Sequence, residues 1–236
     1  MIKIEKTEIY GWEAAIRGMR NPMNSWDKSD SHCTGKDDFI KVSELLSRSP
    51  LGTRITIHPF TVGLNDLKLM MSLSKAGSDH AKFLRMINVT CDITAPLYWW
   101  KEYDTYKVGT VANSCSTMHK IHDKEFELDD FSHEHLDMVF YDDKSWWNWE
   151  TTLENIIDSL NCARERFLET KDKKFWWQMI QLLPSSYNQK RTVQLNYQVL
   201  QRMYHARKNH KLDEWRDFCK WCETLPYFKE ICIQDQ

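Results

Sequence analysis

Residues 85–119, RMINVTCDITAPLYWWKEYDTYKVGTVANSCSTMH, decide how the rest of the chain is read. Ile87, Val89, Cys91 and Ile93 fall on one face and Asn88, Thr90, Asp92 and Thr94 on the other, the period-two alternation of a half-buried strand. Pro96 ends that ladder. Leu97 to Tyr106, crowded with Tyr98, Trp99, Trp100, Tyr103 and Tyr106, reads as a helix opened at a proline. Thr110 to Met118 is small and hydroxylic and reads as a turn. A strand feeding an aromatic helix and then a Ser/Thr/Asn turn builds one wall of a pocket for a planar or phosphorylated ligand. A core strand, a core helix and a polar loop would give the same pattern.

Working backward, Asn65 to Lys75 has helical spacing, with Leu67, Met70, Met71 and Ser74 inward and Gly77 as C-cap, and it leads to Ser78-Asp79-His80. Arg54 to Pro59 reads as a short strand and Asp38 to Ser49 as a helix. Residues 21–38 are polar and aperiodic, which predicts a mobile loop. Lys3 to Tyr10 alternates charge with Ile and Thr, an opening strand that Gly11 stops. Trp12, Ala15, Ile16 and Met19 then recur at helical spacing until Asn21-Pro22. Arg17 and Arg20, three apart, share a side of that helix, either as a pair of phosphate-binding guanidiniums or as a solvated face. Working forward, Trp146 to Thr170 carries one apolar stripe of Trp149, Leu153, Ile156, Ile157, Leu160, Ala163 and Phe167, a core helix. Phe175 to Leu183 continues as a second helix that Pro184 ends. A strand then leads to Asn196, and Leu200, Met203 and Tyr204 mark a further helix.

In order of elements this chain resembles the flavin-dependent thymidylate synthases, the ThyX family, along nearly its whole length. The family's loop after the aromatic helix reads R-H-R, seven residues, then S, and touches both flavin and dUMP. Counted from Ala95-Pro96, those positions hold Thr105, Tyr106 and Lys107, and the serine position holds Cys115 between Ser114 and Ser116. The frame is kept and the signature letters are changed. Arg17-Gly-Met-Arg20-Asn-Pro sits at the family's first helix end, Ser78-Asp79-His80-Ala-Lys82 with Arg85 at its histidine-containing turn, and Leu183-Pro184 with Asn196 at its Leu-Pro and flavin-contacting Asn. The family's helix carboxylate and arginine fall on Trp177 and Ile180; of its two arginines after the Asn, the first becomes Gln198 and the later one matches Arg207.

The resemblance implies a single α/β (α+β) domain over 1–236, with an antiparallel sheet flanked by long helices. It implies a cofactor site for FAD at His80, Tyr106, Lys107 and Asn196. It implies a substrate site for dUMP or a related pyrimidine nucleotide at Arg20, Arg85, Lys107, Ser114, Cys115, Ser116 and Arg207. No residue receives a catalytic role. The family's reaction moves a one-carbon unit from methylenetetrahydrofolate to dUMP, with FAD carrying hydride and NADPH reducing it, at sites between the subunits of a homotetramer. Lys107 is a point charge in place of a planar guanidinium, Tyr106 can stack or donate, and Thr105 can do neither job of an arginine. Two readings follow: a nucleotide-binding, flavin-dependent methyltransferase, or a ThyX-like scaffold that binds or assembles without catalysis. Cys115, in a Ser-rich turn, is either a nucleophile or a small residue filling a serine place.

Composition narrows the rest. A formal charge of −2 and a pI near 6.5 give no global field for nucleic acid. No apolar run approaches the length of a membrane span and MIKIEKTEIY has no signal-peptide centre, so the expected compartment is the cytoplasm. Seven scattered cysteines predict reduced thiols, and Cys219-Lys-Trp-Cys222 has no second pair to complete a zinc site. His119, His122, His133 and His135 lack an acidic or cysteine partner in a ligand signature, so no metal is expected.

Overall fold

The computed structural model describes residues 2–33, 55–57, 60–137, 140–141 and 146–233. The helix expected over Asp38 to Ser49 lies outside them. The chain divides into two compact units, one of residues 94–103 and 114–190, the other of residues 2–93, 104–113 and 191–236.

The second unit carries β1 (Lys3–Tyr10), α1 (Trp12–Arg20), β2 (His32–Cys33), β3 (Ile55–Ile57), β4 (Phe60–Thr61) and α2 (Leu64–Lys75). It also takes most of β5 (Asn88–Pro96), β6 (Val111–Ser114) and β9 (Asn188–Asn196), with α6 (Tyr197–Arg207), α7 (Asp213–Glu223) and α8 (Phe228–Cys232). The strand order is β3-β1-β5-β9-β6, with β2 and β4 in a separate antiparallel ribbon. Tyr197 N–H donates to Ile87 O at 3.0 Å and Thr192 Oγ1 to Asp92 Oδ1 at 2.7 Å, so β5 and β9 run antiparallel. At the edge, β1 and β3 pair in parallel, Thr7 opposite Ile55.

The alternation expected of β5 is present, with Ile87, Val89, Cys91 and Ile93 buried. In β1 it slips by one residue. Ile2 and Ile4 point inward, Lys6 adopts a left-handed backbone (φ 51°), and Thr7 and Ile9 are then buried. One helix face packs inward from α1 through Trp12, Ala15, Ile16 and Met19, and Trp12 meets Tyr197 and Tyr227 edge-on. Gly77, at φ 101°, follows α2 and stops it.

The first unit contains α3 (Leu97–Tyr103), β7 (Phe140–Tyr141) paired with β8 (Trp146–Trp147), and the hairpin α4 (Trp149–Thr170) and α5 (Lys173–Leu182). Leu153, Ile157, Leu160 and Ala163 of α4 pack with Ile121, Phe126, Phe131 and Met179, and Ile156 and Phe167 lie against them, as the stripe predicts, whereas Trp149 at the first turn is 41% exposed. Trp99, Trp100 and Tyr103 of α3 are buried against one another.

Three boundaries differ from expectation. The helix after Pro96 ends at Tyr103 rather than Tyr106, because Asp104 turns out to pair with Arg191 at 2.8 Å. The hydroxylic turn contains β6, an edge strand exposed on both sides; Val111 and Ala112 fall on opposite faces, so it shows no polar/apolar alternation to read. The long helix begins at Trp149 instead of Trp146, since Asn148 Oδ1 caps Thr151 N–H at 2.8 Å and Trp146–Trp147 pairs as a strand. Of the residues expected to form a mobile loop, 21–28 form two 3₁₀ turns and 32–33 form β2. Among the described residues no helix is long and apolar enough to cross a membrane.

Candidate functional site

In the second unit the start of α6 is fixed first. Asn196 Oδ1 accepts the Val199 N–H at 3.1 Å and caps the helix. The segment after α3 folds against this cap. Thr110 Oγ1 donates to Tyr106 O at 2.5 Å, closing the turn, and Gly109 sits inside it at φ 81°. A Cβ at Gly109 would lie 3.0 Å from Val199 Cγ2 and 3.2 Å from Asn196 Nδ2, so the backbone angle favours glycine and a larger residue would press on both side chains.

This turn presents Tyr106 to Arg207, the last residue of α6. Arg207 Nε donates to the Tyr106 hydroxyl at 3.0 Å. Its guanidinium carbon lies 4.8 Å from the Trp215 ring centre and 5.6 Å from that of Tyr106, and the two rings stand edge to face at 6.1 Å. Two electron-rich faces and one hydroxyl thus hold a half-buried cation in one orientation. Beside it a cavity of about 120 Å³ is walled by Thr105, Tyr106, Lys107, Val108, Val199 and Arg202. Lys107 and Arg202 are both exposed.

Arg85 ends the 3₁₀ turn Ala81–Arg85 and donates from Nε to Gln198 Oε1 at 2.6 Å. The cation at 85 and the amide at 198, where the family frame has an arginine, are therefore coupled. His80 precedes that turn with an exposed side chain; its backbone N–H reaches Gly77 O at 3.0 Å.

Arg20 has a different role from the one expected. Its side chain is 5% exposed and its Nε lies 2.6 Å from Asp66 Oδ1, while its remaining nitrogens donate to Ser25 O at 3.1 Å and Lys28 O at 3.0 Å. Asp66, fully buried, also accepts from Ser29 Oγ at 2.7 Å, Ser31 Oγ at 2.6 Å, and the Asp30 and Ser31 N–H groups at 3.2 Å. Burial pushes the Asp66 carboxyl upward, but donation from Ser31, Ser29 and Arg20 outweighs it and holds the group below the usual carboxylate range. Arg20 ties the segment after α1 to α2, and its guanidinium is committed to these internal bonds. Arg17 remains exposed, on a separate cavity of about 390 Å³ with Trp12, Cys33 and Phe60.

Ser114, Cys115 and Ser116 lie in the first unit. Cys115 N–H donates to Lys190 O at 2.9 Å, its carbonyl accepts from Gln189 Nε2 at 2.7 Å, and its thiol is exposed. Ser116 Oγ accepts the Met118 and His119 N–H groups, which makes it a turn residue. All seven cysteines are free thiols, and burial pushes Cys219 up to about 12 and Cys222 well above its ordinary value, so neither is poised as a thiolate. Among the described residues no group of His, Cys, Asp and Glu could hold a metal ion.

Of the expected site residues, the structure gathers Tyr106, Lys107, Asn196 and Arg207 around one turn. Trp215 and the cavity-lining role of Arg202 are additions. Arg202 stands three residues after Val199 on α6, a spacing visible in the sequence; Trp215 carried no signal beyond its aromatic type.

Two solved structures of the flavin-dependent thymidylate synthase ThyX from Helicobacter pylori, each complexed with FAD and dUMP, share this fold. One matches with a TM-score of 0.63 over 99% of this chain and 98% of its own, the other with 0.64 over 100% and 98%, both at 16% identity. At that identity the likeness is one of fold. No family model matches the chain, and no curated protein matches it.

Proposed function

We propose that this chain is a divergent ThyX-like nucleotide-binding protein that takes dUMP or a related pyrimidine nucleotide. The observation that carries the reading is the Arg207 guanidinium, held by the Tyr106 hydroxyl and flanked by Tyr106 and Trp215, next to a cavity lined by Lys107. A cation immobilised in advance binds an anion without losing rotamer freedom at the moment of binding. The fold neighbours' complexes with FAD and dUMP support the choice of ligands.

For FAD the donor set fits in part. Tyr106 offers a ring, Lys107 an exposed amine, and Asn196 its Nδ2 group, since Oδ1 is already the helix cap. A bound flavin would supply hydride transfer. This chain's residues would position it and balance its charge. NADPH and methylenetetrahydrofolate enter the proposal only with the full ThyX reaction, and a homotetramer is the proposed assembly. The second reading, a scaffold without catalysis, is favoured by Trp177 and Ile180 at the positions of the family's helix carboxylate and arginine.

A visible spectrum of the purified protein, repeated with FAD and with FAD plus dUMP, tests both. A flavin band that shifts on adding dUMP supports the flavin-dependent reading and justifies turnover assays. Calorimetry that detects dUMP but no FAD supports the scaffold reading, and absence of both ligands refutes the proposal.

A further inference from the structure

The cavity beside α1 holds about 390 Å³, within the range of roughly 300–1,000 Å³ of sites that enclose whole small molecules. It shares no lining residue with the cavity at the Tyr106 turn. One helix face and one ribbon build it. Trp12, Glu13, Ala14 and Arg17 come from α1, while Cys33 of β2 and Phe60 of β4 stand opposite each other in the ribbon.

The lining combines an apolar wall with two opposite charges. Ala14 and Phe60 are half-buried, and Trp12 is buried and held edge-on by Tyr197 and Tyr227, so that wall is in place before a ligand arrives. Glu13 and Arg17 are exposed and lie one helix turn apart. A glutamate four residues before a cation is the favourable order for a pair along a helix. Among the described residues no bridge joins these two, and neither has another ionic partner.

This combination selects a class of ligand. A carboxylate alone would gain Arg17 and be repelled by Glu13, and an amine alone would meet the reverse. A molecule that carries both charges on an apolar body answers every group of the lining. Side chains one turn apart have Cβ atoms about 5–6 Å from each other, so a single α-carbon can present both charges to them. That is the composition of an α-amino acid with an apolar side chain. The planar guanidinium suits a two-toothed contact with its carboxylate.

We infer that this cavity is a second ligand site, for an α-amino acid with an apolar side chain. Arg17 takes the carboxylate, Glu13 the ammonium, and Phe60 and Trp12 the side chain. The inference is independent of the nucleotide reading. Cys33 does not hold the ligand; its exposed thiol in the cavity wall reports occupancy.

The test measures alkylation of the full chain by iodoacetamide, with each cysteine followed by peptide mass spectrometry. Cys115 and Cys162, also exposed, are internal controls. L-Phenylalanine and L-leucine should slow alkylation of Cys33 saturably and leave both controls unchanged. Phenethylamine, which lacks the carboxylate, and hydrocinnamate, which lacks the amine, should each need about five- to tenfold more ligand for the same protection, the weight of one charged contact at a partly open site. Arg17→Gln should bring phenylalanine down to the level of phenethylamine, and Glu13→Gln to that of hydrocinnamate. Both variants should melt close to wild type, because both side chains are exposed. No protection of Cys33 by either amino acid overturns the inference. Equal protection by phenylalanine and both single-charge analogues does so too, as does protection undiminished in both variants.

Discussion

Replacing Arg20 by alanine should unfold this protein at a much lower temperature without touching its ligand site. The guanidinium is 5% exposed and pairs at 2.6 Å with a carboxylate that has no solvent exposure. Its removal strips one charged donor from Asp66 and leaves the Ser25 and Lys28 carbonyls without their donors. Asp66 keeps its bonds from Ser29, Ser31 and the Asp30 and Ser31 N–H groups, so it stays ionised but loses its counter-charge. Breaking one partner out of a buried pair costs about 3–5 kcal/mol. For a chain of this size each kcal/mol lowers the melting temperature by roughly 2–4 °C, so the fall should be about 6–20 °C. Circular dichroism melts at pH 7 measure it, and dUMP calorimetry well below either melting point measures the site. Adding Asp66→Asn to Arg20→Ala should restore part of the loss, because the stranded charge is gone; the coupling should be about 1–3 kcal/mol. If Arg20→Ala melts within about 2 °C of wild type yet loses dUMP affinity, the internal-clamp reasoning is wrong and Arg20 is a ligand residue.

Acid should act through the same carboxylate. Asp66 is held below the usual range when folded, so its stabilisation is present above the unfolded value of about 3.9 and is lost as pH falls through the folded one. The melting-temperature gap between wild type and Asp66→Asn should be constant above about pH 5 and shrink below about pH 4; a gap that persists unchanged to pH 2 contradicts the assignment. Gly109→Ala must place a Cβ 3.0 Å from Val199 at φ 81°, and it should cost about 1–3 kcal/mol while weakening dUMP binding, since the turn carries Tyr106 and Lys107. An unchanged melt would show that the turn is not pressed on α6. Arg207→Lys keeps the charge but not the flat group between Tyr106 and Trp215, so dUMP should bind about tenfold weaker with little change in stability. Equal affinity would show that charge alone suffices.

Local periodicity accounts for what could be read in advance. The alternation from Ile87 to Ile93, the stripe from Leu153 to Ala163, the opening strand and the order of strand, aromatic helix and Leu-Pro strand all rest on contacts within a few residues, where side-chain direction follows directly from spacing. Elements with no buried face escaped the same reasoning: β6 is exposed on both sides and joins the sheet through its backbone. The slip at Lys6 escaped it too, because a single left-handed residue leaves no compositional mark when it is not glycine.

The fate of each charged residue belonged to tertiary structure. Arg20 and Arg207 are both arginines near helix ends, and nothing local separates them. One meets Asp66, 46 residues away, and becomes an internal clamp; the other meets Tyr106, 101 residues away, and stacks beside Tyr106 and Trp215. Arg202 and Lys107 line one cavity only when the Gly109 turn packs on α6. Spacing along the chain sets which way a side chain points, whereas its energy as a charge depends on the dielectric and the partner it finds, and both are set by segments distant in sequence.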